Sequence, residues 1–258
     1  MAITAAQVKE LRQRTGIGMM ECKKALTETN GDIELAIEEL RKKGLSKAAK
    51  KADRETSEGA IRIDIDGGNA YVLSISCETD FLANSDRFKE FHTKLVEMYK
   101  TGSSAEEMET FKQESVLELG ENLVIKHKEI IPGEALSAYI HSNGKVAALM
   151  IGKAGTDEGK MKQVAMHVTA TNPDYLSPDE ISEDVIEKEK SIQLEIMKND
   201  PKMANKTDDV LLKIIGGKMG KFKSEVSLLE QAFVVDPNQK VKDFIGADSL
   251  VAFHRYAI

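Results

Sequence analysis

The sequence predicts an α+β fold on three observations. Apolar residues recur at spacings of three and four near the start of the chain and again over 178–223, the signature of amphipathic helices. Between those stretches the period drops to two, as in Ile61, Ile63 and Ile65, the signature of half-buried antiparallel strands. A hairpin-plus-helix plan then occurs twice, beginning at Gly59 and again at Ala135, and reads as an internal duplication.

Thr4 and Gln7 have the spacing of a capping box, and Val8 and Leu11 follow as the apolar side of a first short helix. Thr15-Gly16-Ile17-Gly18 ends it. A second helix over 19–27 carries Met20, Cys22 and Leu26 as its apolar positions. Asn30-Gly31-Asp32 interrupts, and a third runs over 33–43 with Ile33, Ala36, Ile37 and Leu40 on one face, stopped by Gly44. Three short helices with a Gly-x-Gly turn after the first are similar to a UBA-like (ubiquitin-associated) bundle. Such a bundle offers its first inter-helix loop to a partner, and Met19 and Met20 lie there. Adjacent helical residues do not share a face, so one of the two is expected in the core. Residues 41–54 are rich in Lys and Ala and read as a solvated helical linker, the other reading being a small anion-binding patch. The first domain is therefore 1–54, bundle plus linker.

A core N-subdomain is expected over 55–133. Ile61, Ile63 and Ile65 alternate along a strand, Gly67-Gly68-Asn69 turns the chain, and Tyr71 to Ile75 is a second, more buried strand. The apolar run then ends at Cys77-Glu78-Thr79-Asp80-Phe81-Leu82-Ala83-Asn84. A carboxylate followed by a large ring at such a junction has two readings. Either the pair stands on an exposed turn and wedges into a partner, or Asp80 caps the next helix and Phe81 belongs to the core. Phe88, Phe91, Leu95 and Met98 give helical spacing, a further helix follows over 105–119, and 122–131 closes the unit as a strand before Pro132-Gly133.

The plan repeats in a core C-subdomain over 134–258. Strands are expected at 135–141 and 146–152 around Ser142-Asn143-Gly144, followed by a helix bearing Val164, Met166, His167 and Val168. Thr79-Asp80 and Thr156-Asp157 hold matching places, and Glu158 then stands where the first copy has Phe81. A cap accounts for the Asp in both copies and leaves Phe81 unexplained. Two charged helices joined at Asn199-Asp200-Pro201 read as an antiparallel helical hairpin inserted at about 178–225. Residues 232–235 are expected as a short strand, 241–245 as a helix and 249–256 as a last strand.

Bulk properties narrow the function. The net charge of −7 argues against a nucleic-acid partner, since the phosphate backbone calls for a basic face. With 5% aromatic residues and no Trp, the cores rest on Ile, Leu, Val, Met and Ala. The two cysteines, Cys22 and Cys77, lie far apart and suit free thiols in a reducing compartment. Met1-Ala2-Ile3-Thr4 has no basic stretch leading into an apolar core, and no apolar run is long enough to span a membrane. The expected location is the cytoplasm.

Catalytic patterns are missing. Gly217-Lys218 and Gly220-Lys221 lack the upstream Gly and the following Ser or Thr of a phosphate loop. His92, His127, His141, His167 and His254 fall one per element, with none at ligand spacing from another. A binding protein with no cofactor, no metal and no chemical active site of its own is expected.

Three stretches then carry a resemblance: Thr15-Gly-Ile-Gly-Met-Met-Glu-Cys-Lys-Lys-Ala-Leu26, Thr79-Asp-Phe-Leu82 and Met166-His-Val-Thr-Ala170. Together, and in order along the whole chain, they closely resemble the bacterial elongation factor Ts family, nucleotide exchange factors for the translation GTPase elongation factor Tu. The resemblance implies a UBA-like N-terminal domain, two related core subdomains, an inserted coiled coil and a C-terminal module. It implies that Thr79, Asp80, Phe81 and Leu82 intrude beside the partner's nucleotide site and help dislodge Mg²⁺. It also implies partner contacts at Arg12, Met19, Met20 and Lys23, at His141, and at Phe233, Val234 and Val235. The partner is then elongation factor Tu, with neither nucleic acid nor membrane engaged, and with a homodimer of the complex left open. Two other readings remain. One is a non-catalytic adaptor whose UBA-like bundle binds protein partners. The other is an enzyme using Cys77, against which a buried strand cysteine is the simpler account.

Overall fold

The computed structural model describes residues 3–200, 206 and 208–258; the turn expected at Pro201 lies outside them. Its elements are helices and antiparallel hairpins, an α+β fold. The chain divides into two compact units. The first takes in residues up to Ile131 with Ser142–Lys145 and Ala257–Ile258, and the second holds Pro132–His141 and Val146–Tyr256.

In the first unit, α1 (Ala5–Thr15) begins at the expected capping box, with Thr4 and Gln7 each bonding the other's backbone. α2 (Met19–Glu28) and α3 (Ile33–Lys51) complete a three-helix cluster. Val8, Leu11, Cys22, Ala25, Leu26 and Leu40 fill its centre. Met20 does not join them. It is 79% exposed and Met19 is 49% exposed, so neither methionine supplies the core contact that helical geometry suggested for one of them.

Gly44 does not stop α3, which runs on unbroken to Lys51. The glycine lies where α3 crosses α6 (Ala105–Leu119), and a Cβ built there would sit 3.5 Å from the Glu114 carbonyl oxygen and from Leu117 Cβ. Tertiary contact thus holds the helix through a residue of low helix propensity. Both distances are ordinary van der Waals contacts. Gly44→Ala is therefore expected to raise stability by up to about 1 kcal/mol, read as a higher melting temperature; Gly44→Leu is expected to lower it.

Beyond the helix, β1 (Glu58–Asp66) and β2 (Asn69–Cys77) pair antiparallel in register from Glu58↔Cys77 to Asp66↔Asn69. That register leaves Gly67 and Gly68 as a two-residue turn at φ 56° and 76°, the left-handed geometry that suits a right-twisted hairpin. Ile61 is buried but Ile65, near the turn, is exposed, so the alternation predicts the face and not how far the core reaches along it. β3 (Val124–Pro132) lies beside β2, giving the order β1-β2-β3. Phe88, Phe91 and Leu95 of α5 (Asp86–Lys100) and Met108 of α6 pack with Leu73 and Ile75 in one core.

The second unit has the same sheet order: β4 (Ala135–Ile140), β5 (Val146–Gly152), then β6 (Leu250–Ala257). α7 (Glu158–Thr171) covers it, burying Met161, Val164 and Val168 against Ala148 and Met150. α8 (Glu183–Lys198) and α9 (Asp208–Val226) pack on each other through Met197, Ile215 and Met219. α10 (Val241–Ile245) follows. No strand forms at 232–235. Only an isolated bridge joins Ala232 to Lys240, and the Val234 amide donates to the His167 ring instead of to a neighbouring strand.

Candidate functional site

The junction after β2 is a short helix, α4 (Asp80–Asn84), rather than an open turn. Thr79 caps it, its hydroxyl accepting the Leu82 N–H at 3.2 Å. Asp80 is therefore the first helical residue and not the cap, a carboxylate placed where the helix dipole favours it. In the second unit Asp157 does cap α7, accepting the Lys160 N–H at 2.8 Å. By cap position Thr79 corresponds to Asp157 and Asp80 to Glu158. The cap reading therefore fits Asp157 and not Asp80.

Phe81 is 86% exposed and Asp80 is exposed beside it, so the ring is not part of its own core. Leu82, next along, turns the other way. It is buried in the sheet–helix core, so it anchors α4 and offers a partner no surface.

Sequence reasoning missed what holds this helix. Glu121, in the loop after α6, accepts the Glu78 and Thr79 backbone N–H groups at 2.9 Å each, and the Thr79 hydroxyl donates to its other oxygen. The exchange is returned. Glu78 accepts the Asn122 N–H at 2.7 Å and pairs with Arg54, while the Asn122 side chain donates to the Ala52 and Arg54 carbonyls. The Cys77 thiol donates to the Thr79 carbonyl at 3.3 Å. Burial pushes that thiol up to about 12, with the Glu121 charge adding to it, so it stays protonated and unreactive at neutral pH. An acid and an amide over forty positions downstream give no local signal of such a role.

The other candidates lie at three further places along the chain. Arg12, Met19, Met20 and Lys23 are all exposed around the join of α1 and α2. In the second unit His141 is exposed, its Nδ1 lying 3.3 Å from the Tyr139 hydroxyl. Val234 and Val235 are exposed at 46% and 60%. Phe233 is not: it is 1% exposed, stacked on Phe244 with centroids 4.4 Å apart. Its ring belongs to the core, and what it gives the neighbouring valines is a fixed backbone. His167 completes that support. Its Nδ1 accepts the Val234 N–H at 3.2 Å, which leaves the proton on Nε2, facing the Gln231 side-chain oxygen at 2.7 Å.

No group of His, Cys, Asp and Glu among the described residues is arranged to hold a metal, and none of their helices is long and apolar enough to cross a membrane. What fold and surface define is an α+β protein that presents exposed apolar side chains, among them Phe81 on a helix capped by the Thr79 side chain. The chain belongs to the elongation factor Ts family: the family model described as "Elongation factor TS" matches residues 78–258. It is 43% identical to the elongation factor Ts of Shewanella loihica over 250 residues, 95% of this chain and 86% of that one. It is equally identical to the elongation factor Ts of Vibrio vulnificus strain YJ016, over all of this chain and 92% of the relative.

Proposed function

We propose that this chain is the guanine nucleotide exchange factor for elongation factor Tu, acting by contact and carrying out no chemical step of its own. The single observation that carries the mechanism is Phe81, a fully presented ring on a capped helix with a carboxylate beside it. Asp80 and Phe81 enter beside the GTPase's nucleotide site and disturb its Mg²⁺, while Thr79 and Leu82 hold them in place.

Linkage supplies the thermodynamics. A factor that binds the nucleotide-free GTPase better than the GDP-bound form lowers GDP affinity by the same factor. A 10⁴-fold effect takes about 5.5 kcal/mol of differential affinity. Burying one Phe yields roughly 2–3 kcal/mol, so a single wedge is insufficient and wider contact is needed. Arg12, Met19, Met20 and Lys23, with His141, Val234 and Val235, are well placed to provide it, since all are solvent-facing.

On this reading 1–54 is a UBA-like domain with its linker, 55–133 and 134–258 are the two core subdomains, and α8 and α9 form the inserted antiparallel coiled coil. Their mutual packing through Met197, Ile215 and Met219 supports the last of these. The adaptor reading is not favoured, because the likeness to an elongation factor Ts runs over all of this chain, the bundle included. The test is release of a fluorescent GDP analogue from elongation factor Tu by stopped flow. Addition of this protein is expected to accelerate release by orders of magnitude; an unchanged rate would remove the proposal.

A further inference from the structure

The Phe81 ring has almost no packing of its own, so its position is whatever the backbone of α4 dictates. Two things fix that backbone. Leu82 sits in the core below, and the 78–79 peptide segment is bound to Glu121. The Glu121 carboxylate takes both backbone N–H groups on one oxygen. Its other oxygen receives the Thr79 hydroxyl proton, which aims that hydroxyl's lone pairs at the Leu82 N–H. Cap and loop are therefore set by a single side chain. The return bonds from Asn122 and Arg54 to Glu78 keep that side chain's loop in register with the segment it holds.

We propose that Glu121 is a positioning residue for the wedge, acting on nucleotide release through Phe81 without touching the partner. This rests on the exchange reading above. Pre-organisation is the physical reason. A ring ordered before contact spends none of its binding free energy on being ordered, whereas a loosely held ring loses part of its effect at the moment it must displace the nucleotide.

The consequence is a specific split. Glu121→Ala leaves the other contact surfaces intact, so affinity for GDP-bound elongation factor Tu, which is met before the ring displaces the nucleotide, is expected to stay within about threefold. The saturating rate of GDP-analogue release is expected to fall by about tenfold. Glu121→Gln keeps an oxygen for the two backbone N–H groups and alters only the link to the hydroxyl, so it is expected to lie between wild type and Ala. The decisive arm repeats Glu121→Ala in a Phe81→Ala background, where the loss is expected to vanish because the group it positions is gone.

A merely structural role would lower release by the same factor in both backgrounds, and that result would overturn the proposal, as would wild-type release by Glu121→Ala. Thr79→Val, which keeps side-chain shape and removes the hydroxyl link, is read in the same cycle should Glu121→Ala fold poorly. It too must lose its effect in the Phe81→Ala background. Failure of the wild-type protein to accelerate release would instead sink the exchange reading itself, so the two failures are distinguishable.

Discussion

Phe81→Ala is expected to slow GDP release from elongation factor Tu by on the order of 10- to 100-fold, the rate equivalent of the apolar contact one Phe side chain makes when buried. Stability is expected to change by less than about 0.5 kcal/mol, because the ring is 86% exposed and its removal leaves no cavity. Phe81→Leu keeps much of the apolar area but not the ring's reach, and is expected to be intermediate. Stopped-flow release measured with a denaturant melt of each variant separates the two effects. Wild-type release by the Ala variant would show that the ring is not the wedge.

Acidification is expected to destabilise the first unit through His92. This ring is buried between α5 and the sheet, with Nε2 3.1 Å from the Leu73 carbonyl oxygen. Burial is the main cause that pulls it down from 6.5 to about 4, outweighing the Leu73 bond, which favours the charged form. The folded state then binds its proton less readily than the unfolded state. Stability is present in full above the unfolded pKa and is lost as pH falls from 6.5 towards 4. At about 1.4 kcal/mol per unit, roughly 3 kcal/mol is lost by the lower end. His167 is lowered as well, again chiefly by burial, and adds a loss of the same sign in the second unit. Unfolding by urea at pH 7.5, 5.5 and 4.5 measures the effect, with His92→Gln as the reference. That variant can still donate to Leu73 but cannot titrate, so its stability is expected to fall less steeply with acid. Identical slopes would exclude His92 as the source.

The amino-acid sequence by itself determined the local units. Thr4 with Gln7 and the Gly67-Gly68 turn act within four residues of chain, so their outcome is readable from spacing alone. The strand period, the repeated hairpin and the mixed fold class follow for the same reason: the pleat and the helical turn are local geometry. The family's Thr-Asp-Phe stretch was legible too, though whether its ring faced in or out was not. Tertiary structure alone decided that, by burying Leu82 and so turning Phe81 to solvent. It also carried α3 through Gly44, where α6 presses against the glycine, and withdrew Phe233 into a stack with Phe244. Glu121 lies 42 residues beyond Thr79, and only the folded chain brings that carboxylate onto two amides and a hydroxyl. Spacing reports a preference that a residue has alone, whereas exposure and long-range hydrogen bonding depend on which distant atoms compete for the same space.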